Sequence, residues 1–410
     1  MKIIQIVFFC LKRFILLRIL YSLNIEKAQK EPEVKMKNLE TKLPGNIKTL
    51  KPYVSGKSIA EVKAIYHPAQ ISKLASNENR LGFSKFVKDA VLKALDDIHD
   101  YPDPLALQLR RELSRRYSVD EKEILLGAGS ESLISIICRT FFQDHENAIT
   151  ANATFVGFFV QAGVRGIEVK KVPVTNKYKF DVLKILNTVD ENTKMVYIAN
   201  PNNPTGTYLN KKEYENLLSC LPDDVLLIVD EAYFEYAQPV PDYPNALANR
   251  RENVIVLRTF SKAYGLAGFR IGYAVADEIL IREMIKTKLT FEPASPAQAA
   301  ALASLKDEEF INRSVEMVEK GKKRLYDFFD LHGVKYVKSA ANSVLMVLES
   351  DQKAEVFTQN MLVEGVILRR VNVFGLPNCV RITIGTEREM NHFEESFLKT
   401  NQLLYVKNEG

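Results

Sequence analysis

Cysteine and histidine are scarce in this sequence. Its 410 residues include only four cysteines and five histidines, and neither type occurs at the spacing of a metal site. The histidines are scattered, so no metal centre is expected. The cysteines are too far apart to suggest a disulfide framework, and they indicate reduced thiols in an intracellular protein, for which we predict a cytoplasmic location. They lie at Cys10, Cys138, Cys220 and Cys379.

An excess of charge is also lacking. The formal net charge is only +5 over the whole chain. Proteins that bind nucleic acid as their main task concentrate positive charge on one face, so such a role is not expected. Hydrophobic residues make up 46% of the sequence, which is enough for a large core, and the length favours two or three domains.

Long apolar runs without charge are absent as well. The amino-terminal stretch "MKIIQIVFFCLKRFILLRILYSLN" is interrupted by Lys12, Arg13 and Arg18. Its longest uncharged run is about half of the ~20 residues that a spanning helix needs, so membrane insertion is not expected. The charges also fit a signal peptide poorly. We interpret residues 1–47 as an extension and charged arm, with Met36 as a natural first residue; an interfacial helix or transit peptide is the alternative.

Helical and extended patterns alternate from about residue 85 onward. Short apolar runs such as "KMVYIAN" and "DVLLIVDEAY" are separated by amphipathic segments such as "SESLISIICRTFF". This order predicts an α/β fold, with a mostly parallel sheet covered by helices on both faces. We place this large domain at residues 85–304. Residues 48–84 and 305–410 are predicted to form a smaller α+β domain.

Ligands of open α/β sheets bind beyond the carboxyl ends of the strands, and two of these ends carry small or amide side chains. In "LLGAGSESL", Gly127 and Gly129 lie between a strand and a helix. The turn could bind an anion, or it could be a tight turn capped by Ser130. In "IANPNNPTG", two prolines fix a turn that presents Asn203 as a hydrogen-bond donor, unless the turn is only a connector.

Two further strand ends carry charged side chains. In "LLIVDEAYFEY", Asp230 ends an apolar run and Tyr233 follows it. A buried carboxylate needs a partner, which could be a helix end, a salt bridge or a cationic ligand. In "RTFSKAYGLAGFRIGY", Lys262 follows another apolar run and Arg270 comes eight residues later. A lysine at the end of a buried strand needs a partner or a chemical role.

Pyridoxal 5′-phosphate is one molecule that would use all four strand ends. Its phosphate suits a helix amino terminus, hydroxyl groups and a guanidinium. Its pyridine nitrogen suits a carboxylate that keeps it protonated. Its aldehyde suits a lysine amine whose pKa is lowered by burial and neighbouring cations.

The same segments resemble the fold-type I pyridoxal-phosphate aminotransferases, and among these the histidinol-phosphate aminotransferase branch. The resemblance extends from about residue 48 to residue 405. It rests on seven short motifs that occur in the order and at the intervals typical of that family. They are "LKPYVSGKSIAEV", "LASNENRLG", "YPDP", "NPNNPTG", "DEAY", "RTFSKAYGLAGFRIGY" and "RITIGT".

The resemblance implies a role toward the cofactor for each matching residue. Lys262 would form the Schiff base and move a proton between the substrate Cα and the cofactor C4′. Asp230 would pair with the pyridinium, while Tyr233 and Asn203 would bind the phenolic oxygen. Phe155, in "ATFVGFF", would stack on the ring. The residues implied to hold the phosphate are Gly129, Ser130, Glu131, Thr259, Ser261 and Arg270.

The resemblance also implies a homodimer and a substrate. Tyr101, in "YPDP", would reach the cofactor phosphate of the neighbouring subunit. Arg381 would bind the substrate carboxylate bidentately, and Arg369 and Tyr53 would help at the anionic end. The implied partners are a small-molecule amino donor and a 2-oxo acid. The implied reaction converts histidinol phosphate and 2-oxoglutarate to imidazole acetol phosphate and glutamate, a step of histidine biosynthesis.

Several residues depart from the family pattern near the expected substrate pocket. Lys288, Thr290 and Glu292 replace the usual arginine, proline and asparagine, and Glu292 places a negative charge where a phosphorylated substrate would pass. Arg80 stands for a usual proline, and Ser343 for a frequent aromatic residue. Alternatives therefore stay open at this point: an aminotransferase or related enzyme for aromatic amino acids or a phosphorylated amino alcohol, or a non-catalytic protein that binds a ligand in the same fold.

Overall fold

The computed structural model describes residues 40–50 and 56–405. The chain divides into two compact units, Met1–Lys51 and Pro52–Gly410. The described part of the first unit contains a short 3-10 helix, Glu40–Lys42, and one α-helix, Gly45–Thr49. The candidate site lies entirely in the second unit. The predicted extension at residues 1–39 and the candidate Tyr53 lie outside the described residues.

The strands of the second unit form two main sheets and one short parallel pair. The strands are β1 Ser72–Lys73, β2 Ile124–Gly127, β3 Asn147–Ala151, β4 Glu168–Val172, β5 Thr193–Ala199, β6 Leu226–Asp230, β7 Val254–Thr259, β8 Gly272–Val275, β9 Lys335–Val337, β10 Ser343–Val347, β11 Val366–Ile367, β12 Arg369–Arg370 and β13 Cys379–Thr383.

The larger sheet has seven strands in the order β2-β8-β7-β6-β5-β3-β4. Strand β8 runs antiparallel to both of its neighbours, and the other neighbouring pairs are parallel. As a result, β2, β5, β6 and β7 all end at the same edge of the sheet. This is the edge at which open α/β sheets bind their ligands.

The described helices include one helix of the first unit, while those of the second unit cover both faces of this sheet or belong to the segments around it. They are α1 Gly45–Thr49, α2 Ile59–Tyr66, α3 Lys85–Ala94, α4 Leu107–Tyr117, α5 Ser130–Phe141, α6 Val156–Arg165, α7 Val182–Leu186, α8 Lys211–Cys220, α9 Phe234–Ala237, α10 Glu278–Thr287, α11 Ser295–Ser304, α12 Glu308–Leu331, α13 Asp351–Val363 and α14 Glu387–Tyr405.

Strand β5 illustrates why both faces are covered. Met195 and Tyr197 point to the face that packs against α5, α6 and α10. Val196 and Ile198 point to the opposite face, against α7 and α8. Because side chains alternate along a strand, a continuous apolar run needs apolar partners on both sides. The prediction of a mostly parallel sheet with helices on both faces is therefore confirmed.

The second sheet is antiparallel and follows the large one along the chain. Its order is β12-β13-β10-β9, and it packs with the long helix α12 and with α13 and α14 around a core of its own. Strands β1 and β11 form the separate parallel pair. The seven-stranded sheet precedes residue 304 and the four-stranded sheet follows it, while the domain boundaries themselves remain predictions.

Most predicted elements occur close to their expected positions, with one clear difference in length. The segment "FVKDAVLKALDDI" has the periodicity of a helix and predicts one that continues to residue 98, but α3 ends at Ala94 and turns follow it. No helix in the described ranges is both long enough and apolar enough to cross a bilayer.

Candidate active site

The ends of β2, β5, β6 and β7 converge on a cavity with about 560 Å³ of empty space. The cavity therefore brings together side chains from all four strand ends that the sequence singles out. It is lined by Ser130, Glu131, Phe155, Ala199, Pro201, Asn203, Asp230, Ala232, Tyr233, Thr259, Ser261, Lys262 and Arg270.

One end of the cavity is formed by the start of helix α5. Gly129 precedes the helix with a φ of +85° and, as a glycine, offers no side chain to cap the helix amino terminus. The Ser130 hydroxyl is buried, and no described residue forms a hydrogen bond with it. A Cβ added to Gly129 would lie 2.7 Å from Arg270 Nη2, so only glycine lets the guanidinium come this close. This end offers backbone N–H groups, a hydroxyl and a cation to an anion.

Strand β7 and the loop after it complete this end. Thr259 Oγ1 donates to Ser261 Oγ at 3.0 Å and accepts from the Ser261 backbone N–H at 3.1 Å. Arg270 Nη1 donates to Ser261 Oγ at 3.4 Å and to the Ala267 carbonyl at 3.1 Å. The two hydroxyls and the guanidinium are thus held as one group. Such a group can bind the oxygens of a phosphate.

Asp230 lies at a different part of the cavity, at the end of β6, with only 4% of its surface exposed. Burial raises the pKa of its carboxyl to about 6, although hydrogen bonds from Tyr197 and Ala232 and the charge of Lys262 act in the opposite direction. Tyr197 Oη donates to Asp230 Oδ2 at 2.8 Å, and the Ala232 N–H donates to Oδ1 at 3.1 Å. The carboxylate is therefore held in one orientation, and a cationic ligand would offset the free-energy cost of burying its negative charge.

Lys262 and Tyr233 face the cavity together. The Lys262 Nζ donates to the Ser76 carbonyl at 3.3 Å and lies 5.7 Å from the centre of the Tyr233 ring. Tyr233 Oη accepts a hydrogen bond of 2.9 Å from Asn77 Nδ2. The lysine that the sequence singled out therefore ends at the cavity beside a phenol.

Phe155 and Asn203 also line the cavity. Phe155 directly precedes helix α6, and its ring folds over Gly157, where an added Cβ would lie 2.5 Å from the ring. Asn203 Oδ1 accepts a hydrogen bond from Arg381 Nη1, and Arg381 Nη2 donates to the Ala75 carbonyl at 2.6 Å. Arg381 does not line the cavity, but it contacts a residue that does.

Arg369 is placed next to Arg381 by the antiparallel pairing of β12 and β13. Both guanidinium groups lie 5.9 Å from the centre of the Phe374 ring. Gly56, three residues after Tyr53, is also close, because a Cβ added there would lie 3.5 Å from Arg369 Nη1. The two arginines predicted to bind substrate thus form one pair.

Tyr101 does not line the cavity of its own chain. It is 78% exposed and stacks on Phe291, with ring centroids 4.1 Å apart. Lys288 Nζ donates to the carbonyl of Pro104 at 3.0 Å, which ties the same two segments together. Among the described site candidates, Tyr101 thus lies apart from the group that lines or borders the cavity.

The residues that depart from the family pattern have defined partners. The Glu292 carboxylate accepts a hydrogen bond of 2.7 Å from Ser132 Oγ, in the first turn of α5. Arg80 donates to the Glu389 carboxylate at 2.8 Å. Ser343 is buried opposite Thr383 in the second sheet. The negative charge of Glu292 is thus held near a helix amino terminus, where it is favoured.

Two polar residues of the site were not predicted from the sequence. Tyr197 is the hydroxyl partner of Asp230, and its only sequence signal is a polar atom within the apolar run "MVYIA". Asn77 is the partner of Tyr233 and lies in the quoted motif "LASNENRLG", but no feature of that motif assigns it a role.

Comparison with known proteins places these residues in a family context. The family described as "Aminotransferase class I and II" matches residues 69–397. A histidinol-phosphate aminotransferase from Geobacillus sp. (strain WCH70) is 42% identical over 371 residues, which cover 89% of this chain and 100% of the relative. A protein of the same description from Bacillus subtilis is 40% identical over 346 residues, covering 84% and 95%.

Solved structures give the same picture. The histidinol-phosphate aminotransferase from Sinorhizobium meliloti, crystallised in complex with pyridoxal-5′-phosphate, matches with a TM-score of 0.82 and 26% identity over 89% of this chain and 98% of that one. Aspartate aminotransferase from Thermus thermophilus matches with a TM-score of 0.76 and 21% identity over 87% and 99%, which supports the fold alone. The fold type I, aspartate-aminotransferase-like architecture that the resemblance implies is thereby confirmed.

Proposed function

The chain belongs to the family of class I and II aminotransferases, and we propose that it transfers the amino group of histidinol phosphate to 2-oxoglutarate with pyridoxal 5′-phosphate as cofactor. The observation that carries this proposal is the cavity, which combines a lysine amine, a buried carboxylate and an anion-binding end. The names of relatives at 40% identity and above support the choice of substrate.

The residues present fit the cofactor at both of its ends. The Ser130 hydroxyl, which has no hydrogen-bond partner among the described residues, suits the phosphate together with the start of α5 and the close approach of Arg270 to Gly129. At the other end, Asp230 suits the pyridine nitrogen, because the raised pKa of a buried carboxyl falls again when a cation pairs with it. We therefore assign to these residues the cofactor-binding roles that the resemblance implies.

When bound, pyridoxal phosphate supplies a ring that accepts the electron pair released at the substrate Cα, a capacity that side chains lack. Lys262 would hold the cofactor covalently, and its freed amine would then move the proton at the substrate Cα as a general base. The Ser76 carbonyl, which accepts from Nζ at 3.3 Å, gives this amine a defined orientation at the cavity wall. Asp230 would keep the ring nitrogen protonated throughout.

The arginine pair is proposed to bind the anionic end of both substrates. A guanidinium binds carboxylate and phosphate oxygens equally well through its planar fork. Arg381 and Arg369 would therefore accept the phosphate of histidinol phosphate in one half of the reaction and a carboxylate of 2-oxoglutarate in the other. Tyr53 belongs to this proposal as well. The negative charge of Glu292 should weaken the binding of these anions less than expected, because Ser132 donates a hydrogen bond to the carboxylate at the start of α5.

The proposal includes a homodimer in the cytoplasm. Tyr101 is largely exposed, does not line the cavity of its own chain and is held by Phe291, as expected of a residue that serves a second subunit. The location rests on the cysteines, of which the three within the described residues are unpaired.

The half-reaction with single amino donors tests the proposed substrate. The cofactor-loaded protein is mixed with histidinol phosphate, phenylalanine or tyrosine, and conversion to the pyridoxamine form is followed by absorbance. We expect histidinol phosphate to react most efficiently. Arg369→Ala should lower kcat/KM for histidinol phosphate by about tenfold or more, because a hydrogen-bonded ion pair is lost, and should affect phenylalanine less.

Arg370→Ala is the matched control, because this neighbouring arginine is paired with Asp351 and Glu355 instead. It should leave both reactions nearly unchanged. A faster reaction with phenylalanine than with histidinol phosphate would move the enzyme to the aromatic aminotransferases and contradict the proposal.

A further inference from the structure

Every polar group of Asn77, in the backbone and in the side chain, forms a hydrogen bond. It is 1% exposed and has a φ of +54°, a conformation that asparagine tolerates better than most residues. Its backbone N–H donates to Thr383 Oγ1 at 3.0 Å, and its carbonyl accepts from Asn342 Nδ2 at 3.0 Å. Its side chain lies between Thr383 and Tyr233. Asn77 thus links the second sheet to a residue of the cavity.

The network fixes which end of the Asn77 amide faces Tyr233. Thr383 Oγ1 donates its hydrogen to Asn77 Oδ1 at 3.0 Å, and no other described residue accepts that hydrogen. A flipped amide would leave the buried Thr383 hydroxyl hydrogen without an acceptor, which is costly. The Nδ2 group therefore faces Tyr233 and donates to Tyr233 Oη at 2.9 Å.

This arrangement determines which groups can accept a hydrogen bond from the Tyr233 hydroxyl. An amide nitrogen has only hydrogens to offer, so Tyr233 is the acceptor in this bond. Within the described ranges, no acceptor for the Tyr233 hydroxyl hydrogen is found, and the side chain lines the cavity beside Lys262. The hydrogen is therefore available to a group that enters the cavity. Accepting one bond also makes a hydroxyl a stronger donor.

We propose that Asn77 is a positioning residue that holds the Tyr233 hydroxyl as a hydrogen-bond donor toward the phenolic oxygen of the cofactor. The inference rests on the proposed function, and it adds a residue that acts only through Tyr233. Thr383 is part of the same hydrogen-bond network, because it sets the orientation of the Asn77 amide. A donor at the phenolic oxygen would stabilise the negative charge of that oxygen. The pKa of the cofactor bound to the Lys262 nitrogen would therefore be lower.

The test measures the pKa of the bound cofactor from its visible absorption spectrum as a function of pH. Thr383→Val removes the hydroxyl without adding charge, so Asn77 Oδ1 loses its donor and can turn to accept the Tyr233 hydrogen. We expect the pKa to rise by about one unit, the size of one hydrogen bond to a charged group. Thr383→Ser keeps the hydroxyl and should leave the pKa close to that of the unaltered protein.

The Tyr233→Phe background shows whether the effect passes through Tyr233. In that background, Thr383→Val should no longer shift the pKa. An unchanged pKa in Thr383→Val, or a shift of equal size with Phe in place of Tyr233, would overturn the inference. Asn77→Ala provides a second route if Thr383→Val does not fold, and it should also raise the pKa only when Tyr233 is present. Absence of any visible cofactor band in the unaltered protein would instead overturn the proposed function, and this inference with it.

Discussion

At the scale of single residues, the burial of Asp230 lowers the stability of the ligand-free protein at pH values where its carboxyl is ionised. Its carboxyl is 4% exposed, and burial raises its pKa from the usual value of 3.8 to about 6. Between these values the folded state binds the proton more tightly than the unfolded state. The contribution of this group to stability is therefore largest below pH 3.8 and is lost as the pH rises through 6.

Replacement of Asp230 should reveal this effect in the cofactor-free protein. Asp230→Asn keeps the shape and can still bond Tyr197, but it cannot ionise. The unaltered protein should lose about 1.4 kcal/mol of unfolding free energy between pH 5 and pH 8 relative to the variant. Only the interval from pH 5 to the folded pKa of about 6 contributes, and one pKa unit is worth about that much. Urea unfolding at the two pH values measures it. A difference that does not change with pH would show that the carboxyl is not destabilised in the fold.

At the scale of helices and strands, the sequence was most informative where function depends on a single strand end. Lys262, Asp230 and Asn203 each follow an apolar run, and the strands bring them to one edge. The partners Tyr197 and Asn77 could not be predicted in this way. Each depends on which segments become neighbours in space, and 156 residues separate Asn77 from Tyr233.

Strand direction was another property that the local pattern does not contain. The run Gly272–Val275 is short and apolar and fits a strand of either direction, yet β8 runs antiparallel to its neighbours. Likewise, nothing in the sequence near Tyr101 predicts its stacking on Phe291, almost two hundred residues away. Periodicity reports which face of an element is buried, but it does not report which element lies against that face.

The turn between β2 and α5 gives a test at this scale. Gly129→Ala introduces a Cβ 2.7 Å from Arg270 Nη2 at a φ of +85°. We expect the unfolding free energy to fall by about 1–2 kcal/mol from backbone strain, and the affinity for pyridoxal phosphate to fall by about tenfold or more as Arg270 is displaced. Titration of the cofactor-free protein with pyridoxal phosphate measures the affinity.

Gly268→Ala is the matched control, because its Cβ would meet nothing within 4 Å. Equal affinities for the cofactor in the Gly129→Ala and Gly268→Ala variants would argue against the phosphate site at α5.

At the scale of the whole molecule, the proposed homodimer would share its sites between two subunits. Tyr101 is exposed, while Phe291 and Lys288 hold the segment that carries it. The segment around Phe291 also contacts the start of α5, because the Glu292 carboxylate accepts a hydrogen bond from Ser132 in the first turn of that helix. In a dimer with shared sites, this segment would link the phosphate end of one cavity to the tyrosine that serves the other.

Mixing of two inactive variants tests the shared sites. Lys262→Ala removes the amine from its own site but leaves Tyr101 for the neighbour, and Tyr101→Ala does the reverse. A mixed dimer would contain one complete site, so activity should reappear when the two variants are mixed and exchange subunits. Sedimentation at micromolar concentration should show twice the chain mass. An active monomer, or a mixture no more active than its components, would contradict the shared-site dimer.

We propose above that the amine of Lys262 binds pyridoxal phosphate in the cavity. Borohydride reduction of the cofactor-loaded protein, followed by proteolysis and mass spectrometry of the peptides, tests it most directly, because reduction makes the lysine linkage permanent. The account predicts a pyridoxyl label on the peptide that contains Lys262, and loss of the label in Lys262→Ala. A label on a different lysine, or no label in a protein that has been saturated with the cofactor, would contradict it.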